Sequence, residues 1–432
     1  MFDKDIVSLA HGDGIRRPHP DVLTKGIVSL LDSVNGSLDD YLYLQEHDEL
    51  KHNIFSDFIE DGIDQDIAKN IAIDFGSSTL ICSILQILKQ KLGSLHFVIP
   101  TSYYHNVPKW FSLYGGNLNH LYTKLDSDYK LTAEELILYL NENKQINGLF
   151  LQNPTHSGAI YTKCELKKLA QVAYDYQIWV IVDSVFSGTE FDFSNRTPQL
   201  EAFKEYADKV ITVKSASKRF NLANLRIGWC CGSREIISEI NSFIISRSAT
   251  IPKILGDMVS AAFCIPKSYF EENSVECKKR VGIINMLVKE INHSLKEELV
   301  SVLHQPESGH GIVLCFDQLL AKKKVKALSI RNSLDFSSYA LRNFKLALSP
   351  AITMGFDKIK IRVAYSSVGL KKTYLAQQKT ELQLSKRILN GTDLIEHHTY
   401  SGKLDLSGFH EGRKLLTRAF ENELTACLKS LI

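Results

Sequence analysis

A lysine set among small hydroxyl residues, in Ser215-Ala216-Ser217-Lys218-Arg219-Phe220, follows the apolar run Val210-Ile211-Thr212-Val213, which reads as a buried strand. A desolvated lysine gives up its proton more readily and becomes a candidate nucleophile for imine formation. Eight residues on stands Arg226, with Gly228 and Trp229 behind it. A second apolar run, 179–182, ends in Asp183, and a carboxylate at a buried strand end needs a partner. Gly76-Ser77-Ser78-Thr79 opens a further apolar segment. Small residues at a helix start act as ordinary caps, or leave N–H groups and a positive dipole end facing a phosphate. Arg362, within Ile361-Arg362-Val363-Ala364, is a permanent cation in apolar surroundings.

These residues need a scaffold, and the pattern of residues 60–235 supplies one. Strand-like runs at 95–99, 148–151, 179–182, 210–213 and 227–231 alternate with amphipathic stretches such as 132–143 and 162–176. Thr162 and Glu165 have the spacing of a capping box. Strands apolar throughout and separated by helices indicate an α/β fold, a mostly parallel central sheet covered by helices. Ligands of such sheets collect at the carboxyl ends of the strands, where Asp183 and Lys218 fall. After about residue 235 long helical stretches lead to shorter strands at 311–316 and 359–364, which read as a smaller α+β domain. Residues 391–408, with His397 and His398, read as an inserted loop before a final helix from 410 to 432.

A chain of 432 residues exceeds the usual single domain, so two are expected. Lysine and arginine total 51 against 49 acidic residues, a formal net charge of +2, and no basic run is interleaved with aromatics. Nucleic-acid binding therefore has no support. The eight cysteines are scattered, without CxxC or Cys/His ligand spacing, and point to reduced thiols and no metal. No signal peptide is expected at the N-terminus, and the most apolar stretch, 71–88, is too polar to span a membrane. The expected location is the cytoplasm.

Taken in order, phosphate loop, aromatic, Asn-Pro turn, Asp, Lys, Arg, Arg, the motifs resemble the pyridoxal 5'-phosphate (PLP) enzymes of fold type I, the aspartate aminotransferase superfamily. The resemblance spans about residues 6–370. It implies a large PLP-binding domain over 45–290 and a small domain built from both chain ends, 1–44 and 291–432. Lys218 then corresponds to the Schiff-base lysine and later the base, and Asp183 to the acid facing the pyridine nitrogen. Gly76, Ser77, Ser78, Ser215, Ser217 and Arg226 correspond to the phosphate site, and Tyr41, with Tyr43 as a rival, to a tyrosine reaching it from a neighbouring subunit. Tyr103 corresponds to the ring stacked on the cofactor. Asn153-Pro154-Thr155-His156-Ser157-Gly158 resembles the turn that donates to the 3'-oxygen, through Asn153 or His156. Where the family usually has a further tyrosine donor, this chain has Phe186, which should raise the titration midpoint of the imine. Arg362 corresponds to the clamp on the substrate α-carboxylate, and Gly12 to a glycine closing over substrate. Arg16 and Arg17 follow it, open to a side-chain carboxylate or simply solvated.

The implied activity is that of a class I/II aminotransferase: an amino acid gives its nitrogen to PLP and a 2-oxo acid receives it. Another PLP reaction of an amino acid, by a β- or γ-lyase, decarboxylase, cyclase or oxidase, is the alternative. A homodimer is implied, because such sites are built across the subunit interface.

Overall fold

A computed structural model describes residues 6–34, 47–192, 201–366, 368 and 407–432. Tyr41, Tyr43, His397 and His398 lie outside the described residues. After a two-residue strand, β1 (Val7–Ser8), seven strands form one sheet. They are β2 (Ile71–Asp74), β3 (His96–Pro100), β4 (Asn117–Leu121), β5 (Gly148–Gln152), β6 (Trp179–Asp183), β7 (Val210–Ser215) and β8 (Gly228–Cys231). Their spatial order is β2-β8-β7-β6-β5-β3-β4. The run from β7 to β4 is parallel, and β8 lies antiparallel to both β7 and β2. The fold is α/β with a mostly parallel central sheet flanked by helices.

Side chains alternate between two covered faces. Leu149, Leu151, Val180 and Val182 enter the apolar cluster on one side of the sheet, and Phe150, Trp179, Ile181 and Ile211 the cluster on the other. That double cover is why these strands are apolar at almost every position. The 71–88 stretch divides into β2 and the first part of the helix Ser77–Leu92. Among the described residues, no helix is long and apolar enough to cross a membrane. The helix Lys163–Asp175 starts in a capping box in which Thr162 and Glu165 each accept the other's backbone N–H.

The second body is built on β9 (Ser301–Val302), β10 (Gly311–Cys315), β11 (Leu346–Ala347), β12 (Ser349–Pro350) and β13 (Lys360–Ala364). Four of these form an antiparallel sheet in the order β12-β13-β10-β9, and β11 pairs parallel with β1. Leu9, Ile15, Ile312, Leu314, Ile361 and Val363 share its apolar cluster with the C-terminal Phe420 and Leu428. Residues 6–34 are divided between the bodies, since Leu9 and Ile15 pack with the smaller cluster and Val22 of the helix Pro20–Val34 with the large-sheet cluster. The helix Lys267–Leu295 also serves both: Tyr269 and Phe270 join the large-sheet cluster, and Cys277 and Val281 the smaller one.

Candidate active site

Parallel neighbours need a crossover of a dozen or more residues, but antiparallel β7 and β8 do not. Their connection, residues 216–227, carries Lys218 and contains no α-helix. Residues 9–15 lie between this connection and β13. Leu9 accepts the Ala364 N–H at 2.7 Å, Asp13 accepts the Ser366 hydroxyl at 2.7 Å, and the Ile15 N–H donates to Asn221 Oδ1 at 2.8 Å. Within that clamp Lys218 Nζ donates to the Gly12 carbonyl at 2.7 Å. Burial lowers the amine to about 8, Arg362 and Arg226 push in the same direction, and Asp13 opposes them. Lys218 forms no ion pair among the described residues.

Across the edge of the sheet, Asp183 ends β6 with its side chain buried. Its Oδ2 accepts Gln152 Nε2 at 2.7 Å and its Oδ1 accepts the Val185 N–H at 3.1 Å. Both donors are neutral, so burial raises the carboxyl to about 6. Asn153 is fully buried; its Oδ1 accepts the Tyr161 N–H at 3.0 Å and its Nδ2 has no partner among the described residues. His156 Nδ1 is likewise buried without a partner among the described residues. Burial, with Arg362, His105 and Lys218 nearby, holds the His156 imidazole well below its ordinary range.

At the start of the helix Ser77–Leu92, Gly76 has φ +86° and supplies no side-chain cap. A Cβ there would stand 2.5 Å from Arg226 Nη2, so the guanidinium lies against the helix start. Gly228 is equally tight, because its Cβ would fall 2.4 Å from the Ser77 nitrogen. Ser215 Oγ lies 2.7 Å from Ser217 Oγ and accepts the Ser217 N–H at 3.0 Å, closing the turn before Lys218.

Arg362, in β13, is 3% exposed, and burial lowers its guanidinium to about 10. Its Nε donates to the His156 carbonyl at 3.3 Å, and no carboxylate pairs with it among the described residues. Two glycines make room for it: a Cβ at Gly311 would meet its guanidinium carbon at 2.6 Å, and one at Gly12 its Nη2 at 2.9 Å. Arg16 is occupied within the chain, paired with Glu272 at 2.9 Å and lying 3.5 Å over the Tyr269 ring.

Tyr103 and Tyr104 have different neighbours. The Tyr103 ring packs edge-on against His120 and beside Gly355, and that of Tyr104 is in contact with His156, at 5.6 Å between centroids. Ser102, just ahead of both tyrosines, takes the left-handed conformation at φ +72°. Phe186 lies between the rings of His156 and His310, with its centroid 5.9 Å from Lys218 Nζ. Tyr104, Gln152, His310 and Gly311 were not singled out from the sequence. Gln152 had a readable signal, a polar residue closing an apolar strand just ahead of Asn153.

Asp183, which no cation meets among the described residues, the orphan Asn153 Nδ2 and the uncapped helix start beside Arg226 fit a group with a protonated ring nitrogen, a phenolate oxygen and a phosphate. The profile of the family described as aminotransferase class I and II matches residues 4–368. A probable aspartate/prephenate aminotransferase of Rickettsia conorii is 24% identical over 287 residues, covering 66% of this chain and 69% of that protein. An aspartate aminotransferase of Geobacillus stearothermophilus is 23% identical over 238 residues, 54% of this chain and 59% of its own. Among solved structures, an aspartate aminotransferase of Rhizobium meliloti superposes with a TM-score of 0.73 at 17% identity, covering 96% of this chain and 91% of that one. An aromatic aminotransferase of Pyrococcus horikoshii gives 0.72 at 17% identity over 100% and 98%. At these identities the superpositions establish the fold.

Proposed function

The chain belongs to the class I and II aminotransferases, PLP-dependent enzymes of amino and 2-oxo acids, and we propose that Lys218, Asp183 and Arg362 carry its chemistry. When bound, PLP supplies an aldehyde for a lysine and an electron sink for breaking a bond at the substrate Cα. Lys218 is the amine placed to join it and, once released, to move a proton at Cα. Its lowered pKa leaves more of the free base near neutral pH. Asp183, held by Gln152 and Val185, presents a fixed negative charge to the ring nitrogen. Asn153 Nδ2 is assigned to the 3'-oxygen, and Ser77, Ser78, Ser215, Ser217 and Arg226 to the phosphate. Tyr104 is assigned to the ring face in place of Tyr103. Arg362 takes the α-carboxylate in a bidentate pair and so sets which Cα bond is exposed to cleavage.

A homodimer in the cytoplasm is part of the same proposal. The helix Pro20–Val34 leaves Leu23, Ile27, Val28, Leu30 and Leu31 exposed, an apolar face that suits a subunit contact. The division into a large domain over about 45–290 and a small one from both ends is also proposed, with the helices Pro20–Val34 and Lys267–Leu295 reaching across it.

One observation carries the assignment of Lys218: it is a partly buried amine that forms no ion pair among the described residues, in the connection that follows β7, next to the strand that ends in Asp183, a buried carboxylate with no cation paired to it among the described residues. Borohydride reduction of the PLP-loaded protein, followed by peptide mapping, should place the label on Lys218, and Lys218→Ala should abolish it. A label retained on another residue in that variant refutes the assignment.

A further inference from the structure

Immediately behind the Lys218 connection lies a buried ion cluster that the assignments above leave unused. Arg219, the residue after Lys218, donates through Nη1 to Asp57 Oδ1 at 2.6 Å. The other oxygen of that carboxylate accepts Lys214 Nζ at 2.6 Å, and Asp61 also pairs with Lys214. Asp57 belongs to the helix Asp48–Glu60 and its side chain is 3% exposed. The stem of Arg219 crosses Gly188, where a Cβ would stand 2.4 Å from Arg219 Cδ. Its guanidinium carbon sits 5.1 and 5.2 Å from the ring centroids of Phe220 and Phe270. Gly188 lies in the turn that follows Asp183, closed by Ser187 N–H to Ser184 O and Thr189 N–H to Phe186 O. Arg219 therefore touches the Lys218 connection, the turn after Asp183 and a helix outside the sheet, and Asp57 holds its far end.

We propose that Asp57 is a positioning residue for Lys218: by fixing Arg219 it sets the amine against the turn that carries Asp183. The proposal rests on the assignment of Lys218 and Asp183 to PLP. A neutral side chain at 57 leaves Arg219 a largely buried cation without its carboxylate, which drives the guanidinium off Gly188 and takes the neighbouring lysine with it.

The experiment follows PLP uptake by the full-length PLP-free protein, read as the absorbance change on forming the Lys218 linkage with release of water. Asp57→Asn and Arg219→Gln should each slow uptake about tenfold, the size of effect expected of a misplaced reacting group. The double variant should be no slower than either, as for two residues acting through one contact. A pure charge effect has a different signature. Loss of an anion would free more Lys218 base and speed uptake, whereas loss of a cation would slow it. Asp57→Asn uptake that is faster than or equal to the unsubstituted protein overturns the proposal, whatever happens to thermal stability. If Asp57→Asn does not fold, Arg219→Lys, which keeps the charge but not the guanidinium fork, decides in its place: about tenfold slower uptake supports the proposal, and normal uptake overturns it. An unsubstituted protein indistinguishable from Lys218→Ala in its PLP absorbance would remove the cofactor assignment, and this proposal with it.

Discussion

Lys214 and Lys218 leave the same stretch of chain four residues apart and end in opposite circumstances. Lys214 points from β7 into two carboxylates, Asp57 and Asp61. Lys218, in the connection beyond, donates to a carbonyl oxygen and forms no ion pair among the described residues; two arginines act on it, with Asp13 opposing them. The acids repeat the contrast: Asp57 touches two cations, while Asp183 is held by neutral donors alone. Burying a charge without a counter-charge is unfavourable, so a fold that does so at several points along one edge is arranged for a ligand that brings the missing charges. We assign the paired set to the scaffold and the set without ion pairs among the described residues to the chemistry.

Substituting the two lysines is the sharpest way to break that contrast. Lys218→Ala should remove borohydride-fixed label and transfer activity altogether while the protein stays folded. Lys214→Met should keep the label on Lys218 and instead lower stability by about 3–5 kcal/mol, since it strands buried carboxylates, measured by denaturant unfolding of the PLP-free protein. A lost label in Lys214→Met with Lys218 intact would reverse the two roles.

The acids should respond with opposite signs. Burial raises the Asp183 carboxyl from 3.8 to about 6, so in the PLP-free protein its charge is unfavourable above pH 6 and absent below about pH 4. Asp183→Asn should stabilise the PLP-free protein at pH 8 by about 2–3 kcal/mol, the gain disappearing as pH falls through 6 towards 4. The same variant should lose transfer activity roughly a hundredfold or more. Asp57→Asn should destabilise the PLP-free protein at the same pH. A destabilised Asp183→Asn at pH 8 would show that its carboxylate is satisfied without a ligand.

A smaller effect is expected on the substrate side. Arg362→Gln should lower kcat/KM for the amino donor about 10–100-fold, the worth of a charge-assisted pair, with the Lys218 label unaffected. Equal loss of label would place Arg362 in cofactor retention. The smallest effect belongs to Phe186→Tyr, which restores a donor beside the 3'-oxygen. The pH midpoint of the Lys218–PLP absorbance should fall by about 0.5–1 unit, the equivalent of one hydrogen bond. An unchanged midpoint would mean that position 186 does not face that oxygen.

The parts of this arrangement legible in the sequence are those set by local pattern. Asp183 directly follows a four-residue apolar run, and a strand apolar throughout has only its end at which to display a polar group; Lys218 stands five residues beyond a similar run, marked by the small hydroxyl residues before it. Gly76 could be read from the small residues that open a long apolar helix. What escaped depends on backbone geometry or distance along the chain. Which of Tyr103 and Tyr104 meets His156 depends on the backbone path after the left-handed Ser102, which no periodicity announces. His310 arrives from the second body, 92 residues beyond Lys218, and its place beside Phe186 is purely tertiary. The limits at 44 and 290 were set by changes in pattern, whereas the helix Lys267–Leu295 runs on through both apolar clusters.

The reversed direction of β8 carries a consequence of its own. Because β7 and β8 form a hairpin, the amine at 218 and the guanidinium at 226 ride on one short span of backbone instead of meeting through folding of distant segments. Length changes elsewhere in the sheet, in the crossovers that join its parallel strands, leave that spacing untouched. A single residue added between Phe220 and Leu225 would alter it directly, which makes this span the least forgiving place in the protein for an insertion.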